Sequence, residues 1–221
     1  MKAYFLMVGL AAAAMLTGSG MSGVRPQDGP TLRIPDGQSL LLSARAEGVQ
    51  IYTAKPKAGS ATTFEWVLKA PRAILFDQDH KKIGTHSGGP TWELNNGSKV
   101  VGVQPPKQRV DAANPKDVAW LLLEAKSHEG TGPLSKVTFI MRVDTAGGVP
   151  HSVPPTKEGQ ETQVKYRATY VFLCASPNGA PSMVLRSPDK GALASAAKAG
   201  WTVIELRQGK LYQSSHATAG R

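Results

Sequence analysis

The sequence predicts a mainly β protein: an antiparallel β-sandwich or barrel with a short C-terminal helix-strand appendage. Three observations carry this. Short apolar runs recur at close spacing with Gly, Pro and Asn-Gly punctuation between them. The stretch from Lys69 to Gly102 alone holds a strand, a charged turn, a Gly-Gly-Pro corner, a lone Trp and an Asn-Gly hairpin. Two later segments alternate strictly. In one, Val137, Phe139, Met141 and Val143 alternate with Thr138, Ile140, Arg142 and Asp144; in the other, Val164, Tyr166, Ala168, Tyr170 and Phe172 alternate with Lys165, Arg167 and Thr169. A period of two is expected of strands in a sheet with one wet face.

The first residues stand apart from that body. Lys2 supplies a positive start, Tyr4 to Leu16 is apolar, and the small residues Thr17 to Gly20 follow. The run is too short to span a bilayer, so residues 1–23 read as an export signal rather than an anchor. Ser19 stands where a lipidated Cys would be, so the sequence predicts no lipid anchor, and a mature chain starting between Ser19 and Val24. The protein is then expected in the periplasm or outside the cell, with no membrane anchor once the signal is removed. Residues 24–174 read as the β-domain and 175–221 as a C-terminal extension.

Within the β-domain, Val24 to Gly37 is an extended, Pro- and Gly-rich lead-in. Ser39 to Arg45 and Val49 to Lys55 read as strands, the second with Val49, Ile51 and Thr53 on one face. Phe64, Trp66 and Leu68 alternate with polar residues, and Pro71 requires an edge or a bulge before Ala73 to Phe76 resumes the strand. Asp77 to Lys82 is a polar turn. Asn95 to Ser98 is a hairpin turn, because Asn-Gly tolerates positive φ at both central positions. Val118 to Lys126 fits helix or buried strand, and strand is the reading adopted. Gly147 to Gly159 is a long loop. Pro177 to Pro188 reads as a linker, Asp189 to Ala199 as a short Ala-rich helix, and Trp201 to Ile204 as a final strand.

With 221 residues and 41% hydrophobic content, the chain can close a core without disulfides or metals. Cys174 is the only cysteine, so no internal disulfide can form. It sits in an apolar run and reads as a buried structural thiol. The net charge of +10 is spread along the chain, with no basic tract and no specific nucleic-acid motif. It suggests weak attraction to an acidic cell-envelope polymer or another polyanion, or serves solubility alone, the reading that the even spread favours.

No phosphate-cradling loop, nucleophile elbow or zinc spacing appears, so no cofactor or metal is implied. His86, before the Ser87 to Pro90 corner, is the candidate catalytic residue, as acid or base with Asp77 or Asp79. The alternative is a histidine that bonds the corner's backbone. Arg142 with Asp144 forms a candidate anion site or an exposed ion pair. Trp92, with Trp66 and Trp120, forms either a sugar-stacking platform or core.

These residues also carry a resemblance. Ala46 to Tyr52, Lys69-Ala70-Pro71, Leu75-Phe76-Asp77, Gly84-Thr85-His86, Gly89 to Trp92, Gly97-Ser98, Trp120 to Leu123 and Arg142 to Gly148 occur in order. From about Leu40 to Phe172 the chain resembles domain-of-unknown-function family 3455, largely exported proteins of bacteria and fungi without an established activity. Ala54 and the loop after Gly148 lack cysteines that the family carries, which implies a lost disulfide. His80 stands where the family tends to have a turn glycine. Two functions follow from the sequence as a whole. One is a non-catalytic, envelope-associated binding domain for acidic ligands. The other is a secreted hydrolase-type enzyme using His86.

Overall fold

The predicted strands form, and the sheet closes on itself, with one face turned into a packed interior. The structure, a computed structural model, describes residues 32–176 in full, and beyond them the backbones of strands over 182–186, 202–207 and 210–214. The leader at 1–23 and the helix expected over Asp189–Ala199 lie outside the described residues. The strands are β1 (Gln38–Pro56), β2 (Phe64–Phe76), β3 (Lys82–Ser87), β4 (Thr91–Leu94), β5 (Lys99–Gly102), β6 (Gln108–Val110), β7 (Trp120–Glu129), β8 (Phe139–Gly147) and β9 (Glu161–Ala175). A 3₁₀ turn, Pro133–Lys136, joins β7 to β8.

The sheet order is β5-β4-β3-β2-β1-β9-β8-β7-β6, and β5 also pairs with β7. All strands but β6 therefore form an antiparallel ring. The second half of β7 pairs with β5, from Gly102↔Ala125 to Lys99↔Glu129. Its first half, Trp120 to Leu122, pairs with β6 instead. Chain direction alternates around the ring and sorts the connections to two ends. The β2–β3 and β4–β5 turns and the 3₁₀ turn close the lower end, where Leu134 is fully buried as a plug. The β1–β2 hairpin, the Gly88–Pro90 corner, the β5–β6 segment and the β8–β9 loop surround the upper end.

The barrel interior is filled asymmetrically. The inward row of β1 is small at Ala44 and Ala46 and β2 adds Ala73 beside Leu75, while Trp92, Leu121, Leu123, Ile140, Tyr170 and Phe172 fill from the other strands. Small residues facing large ones let side chains interdigitate at close to crystal density. Close approach is sharpest at Gly48, where a Cβ would lie 2.1 Å from the Arg72 carbonyl oxygen, and at Gly84, where it would lie 2.2 Å from that of Glu93.

A second cluster covers the outside of β7, β8 and β9. Leu32 and Ile34 of the lead-in pack there with Trp120, Leu122, Met141, Val143, Val171 and Leu173. Gln108 of β6 holds the lead-in by bonding both the N–H and the carbonyl of Arg33, at 3.0 and 2.8 Å. The expected wet face of β8 is thus a correction: Ile140 and Arg142 face the interior, and Met141 and Val143 face outward under this cover. On β1 the inward row is Gln50, Tyr52 and Ala54, all buried, and Val49, Ile51 and Thr53 face out half-exposed.

Several local expectations hold. Val118 to Lys126 lies largely within β7. Pro71 sits beside a register shift between Ile51 and Tyr52 on the facing strand, where β3 has not yet begun to pair. At the hairpin only Gly97 takes positive φ, 81°, and the Asn96 side chain accepts from the Ser98 N–H at 3.0 Å. In the extension, β10 (Ser182–Arg186) lies where a linker was expected and runs parallel to β11 (Thr202–Arg207). β11 is not the last strand, since β12 (Lys210–Ser214) pairs antiparallel with it.

Candidate functional site

The barrel mouth opens because β6 replaces β5 beside the first half of β7, and the inner residues of β1, β3, β8 and β9 are left to line a space. That space has two lobes, of about 390 and 550 Å³, which share Gln50, Leu68, Arg109 and Arg142. Cavities of this size hold small molecules in other proteins. The first lobe is walled by His86, Trp92, Leu121, Leu123 and Tyr170, with no carboxylate in its lining. The second adds Tyr52, Asp111, Asp117 and Val149. A wider depression of about 720 Å³ lies on the outer surface around Glu47, Ile74 and Arg167. It is shallow and holds no buried cation, so the mouth is the better candidate.

Arg142 is the centre of the mouth. It projects inward from β8 between Leu121 and Tyr170, and only 9% of it is exposed. Its Nε donates to the Ala119 carbonyl at 2.9 Å. None of the ion pairs among the described residues involves it. The other cations of the lining are already neutralised: Arg109 pairs with Asp111 at 3.1 Å and Lys69 with Glu161 at 2.5 Å.

Neutral donors surround this charge. The Gln50 amide nitrogen, the Trp92 indole nitrogen and the Tyr166 and Tyr170 hydroxyls are buried without a well-aligned hydrogen-bond partner among the described residues. The Tyr170 hydroxyl lies beside both Tyr166 and the Arg142 guanidinium. Burial pushes the Tyr170 and Tyr166 phenols up, and the positive charge of Arg142 only partly offsets this, so both remain neutral donors. Buried polar groups are normally paired, and with Tyr166, Tyr170 and Arg142 beside one another, the Gln50 amide and the Trp92 indole are the lobe's donors left without a partner.

His86 forms part of the wall of the first lobe. Its ring stacks on Trp92, centroids 4.5 Å apart and planes 10° apart, with Tyr170 tilted against both at 4.8 and 5.2 Å. Nδ1 lies 2.8 Å from the Thr91 carbonyl oxygen. A carbonyl only accepts, so Nδ1 carries the proton and Nε2 is left as an acceptor. Burial pushes this imidazole down to about 3, against the opposing Thr91 bond, so the ring is neutral.

The structure does not bring His86 to Asp77 or Asp79. His86 pairs with Ala73 near the top of β3, whereas both carboxylates sit in the turn at the lower end. Four residues of strand separate Ala73 from Asp77, roughly 13 Å. Asp77 is occupied there, accepting from the Asp79 and Lys81 N–H groups at 2.9 Å each. The expected dyad is therefore corrected to a structural histidine at one end and a turn-capping aspartate at the other.

The second expected group is brought together in part. Arg142 and Trp92 line the same lobe. Asp144 does not join them, because β8 shifts register between Val143 and Ala146 and Asp144 takes a φ of 51°. The three tryptophans form no platform: Trp92 is inside, Trp120 is in the outer cluster, and Trp66 donates to the Val153 carbonyl at 3.1 Å. Sequence reasoning missed Gln50, Tyr166 and Tyr170 as site residues. Gln50 could have been noticed as a polar residue in a row that otherwise reads Ala44, Ala46, Gly48, Tyr52, Ala54.

Fold and site together define a closed antiparallel β-barrel with a buried, unpaired arginine at its mouth. The family model described as a protein of unknown function (DUF3455) matches residues 35–174, and the chain belongs to that family. Those bounds nearly coincide with the ring from β1 to β9, so the family is this barrel. No curated protein and no solved structure shows a significant match.

Proposed function

We propose that this protein is a non-catalytic binding domain whose ligand presents an acidic group to Arg142 at the barrel mouth. The observation that carries the reading is a buried guanidinium with no ion-pair partner among the described residues, in a lobe that also holds the buried, unpartnered amide nitrogen of Gln50. An isolated buried charge is costly to keep and is offset when an anion arrives. Five of the surface cations are already paired. Arg45, Lys69, Lys99, Lys107 and Arg109 are each within ion-pair distance of an Asp or Glu. An acidic envelope polymer enters this reading as a source of a single terminal or side-group carboxylate. The signal-like start of the sequence supports placing the protein at the cell envelope or outside the cell. The hydrolase alternative has lost its dyad.

A thermal-shift panel of small carboxylates, phosphate esters and acidic oligosaccharides against the full chain and Arg142→Gln tests the reading. A ligand at 100 times its Kd stabilises by about 2.7 kcal/mol, on the order of 5–10 °C in Tm. The expected result is a shift from acidic compounds alone, absent in Arg142→Gln. Equal shifts in both proteins, or none with any acid, would remove the proposal.

A further inference from the structure

We infer that the ligand is an amphiphilic monocarboxylate, held by its carboxylate inside the mouth with an apolar chain running out over the rim. The inference rests on the proposed acidic-ligand site and narrows it. Charge decides the head group. Arg142 is the single cation of the first lobe left without an ion pair, since Lys69 and Arg109 already face Glu161 and Asp111. One guanidinium compensates one negative charge, and the Gln50 and Tyr170 donors beside it are neutral. A dianionic phosphate would bring a second charge into the barrel with nothing to balance it, which burial penalises. A planar carboxylate matches the guanidinium fork.

The rim decides the rest of the molecule. Among the described residues the exposed large hydrophobics are Leu68, Ile74, Val149 and Val153. Two of these four line the mouth, and a third, Val153, stands on the β8–β9 loop beside it. Leu68 lines both lobes and Val149 the second. Val153 is fixed above β2 by the Trp66 indole, two residues from Leu68. Exposed apolar side chains scattered singly need no explanation, but two lining one opening, with a third on the loop beside it, mark a contact surface. The path from Arg142 to solvent therefore passes apolar groups, which suits a ligand with one charged end and an aliphatic or aromatic body.

The test titrates the full chain with dodecanoate, dodecyl phosphate, dodecanol and acetate below their micelle concentrations, following tryptophan fluorescence, in wild type and Arg142→Met. Dodecanoate should bind saturably, with dodecanol, acetate and dodecyl phosphate each at least about 30-fold weaker, the effect of leaving one partner of a buried charge pair missing or mismatched. Arg142→Met should weaken dodecanoate by a similar factor and leave dodecanol unchanged. If acetate matches dodecanoate and both need Arg142, the amphiphile inference fails and the acidic site stands. Tighter binding of dodecyl phosphate overturns the monoanion argument alone. Dodecanoate binding that is absent, or no stronger than that of dodecanol, overturns both readings. The wild-type comparison of the four compounds decides this even if the variant does not fold.

Discussion

At the scale of single residues, two buried groups with the same address have opposite roles. Arg142 has no ion-pair partner among the described residues, whereas burial holds His86 neutral. The consequence for His86 is measurable. Its unfolded-state value is 6.5 and burial lowers the folded value to about 3. Between those values the unfolded chain binds a proton that the folded chain refuses, so stability falls as pH drops, by about 1.4 kcal/mol per pH unit. Above pH 6.5 both states are neutral and this contribution is constant. His86→Gln should therefore cost about 1 kcal/mol at neutral pH through lost stacking on Trp92. It should also flatten the decline in urea-unfolding free energy between pH 6.5 and 4. An unchanged acid slope would show that His86 is not buried as described. His86 was visible in the sequence as a special position, and the Gly-Gly-Pro corner beside it was real. Its role was not visible, because the choice between catalyst and corner-bonding ring depends on which end of the barrel the carboxylates of the following turn occupy.

At the scale of elements, the strands were legible because each local signal agreed with the next. Alternation marked β8 and β9, Asn96-Gly97 marked the β4–β5 hairpin, and Pro71 marked the irregular stretch of β2. What alternation did not reveal was which row faces in. A lead-in carrying Leu32 and Ile34 covers the outside of β7–β9 around Trp120, Met141 and Val171, so both faces are dry there and Arg142 is inside. The pattern of β1 misled for a related reason. Its inward row is short of large apolar residues because the opposing strands fill the barrel. That division of volume makes the β1–β2 and β3–β4 contacts intolerant of added atoms. Gly48→Ala and Gly84→Ala should each destabilise by more than about 3 kcal/mol, since a Cβ would press on a backbone carbonyl that cannot rotate away. Chemical denaturation measures this, and a loss below about 1 kcal/mol for both would mean the strands lie further apart.

At the scale of the whole molecule, the barrel closes through its first and last strands, with β1 paired along nearly its full length to β9. Closure therefore waits for pairs separated by most of the domain, and contacts of that kind slow folding into the millisecond-to-second range. The family match ends at residue 174 and the ring at Ala175, so a fragment spanning 32–176 should fold as the same barrel and keep its ligand response. Circular dichroism and a thermal-shift comparison with the full chain check this; an unfolded fragment would make β10–β12 part of the folding unit. The central claim is that one buried, unpaired guanidinium organises the mouth for an acid. The most direct measurement is titration calorimetry of the best carboxylate from the panel against wild type and Arg142→Met, with melting of both unliganded proteins alongside. The account predicts that the variant loses the binding while its unliganded form is as stable as wild type, or more stable by about 1 kcal/mol, because an uncompensated buried charge has gone. Retained binding, or an unliganded variant destabilised by several kcal/mol, would contradict it and make Arg142 a structural part of the barrel.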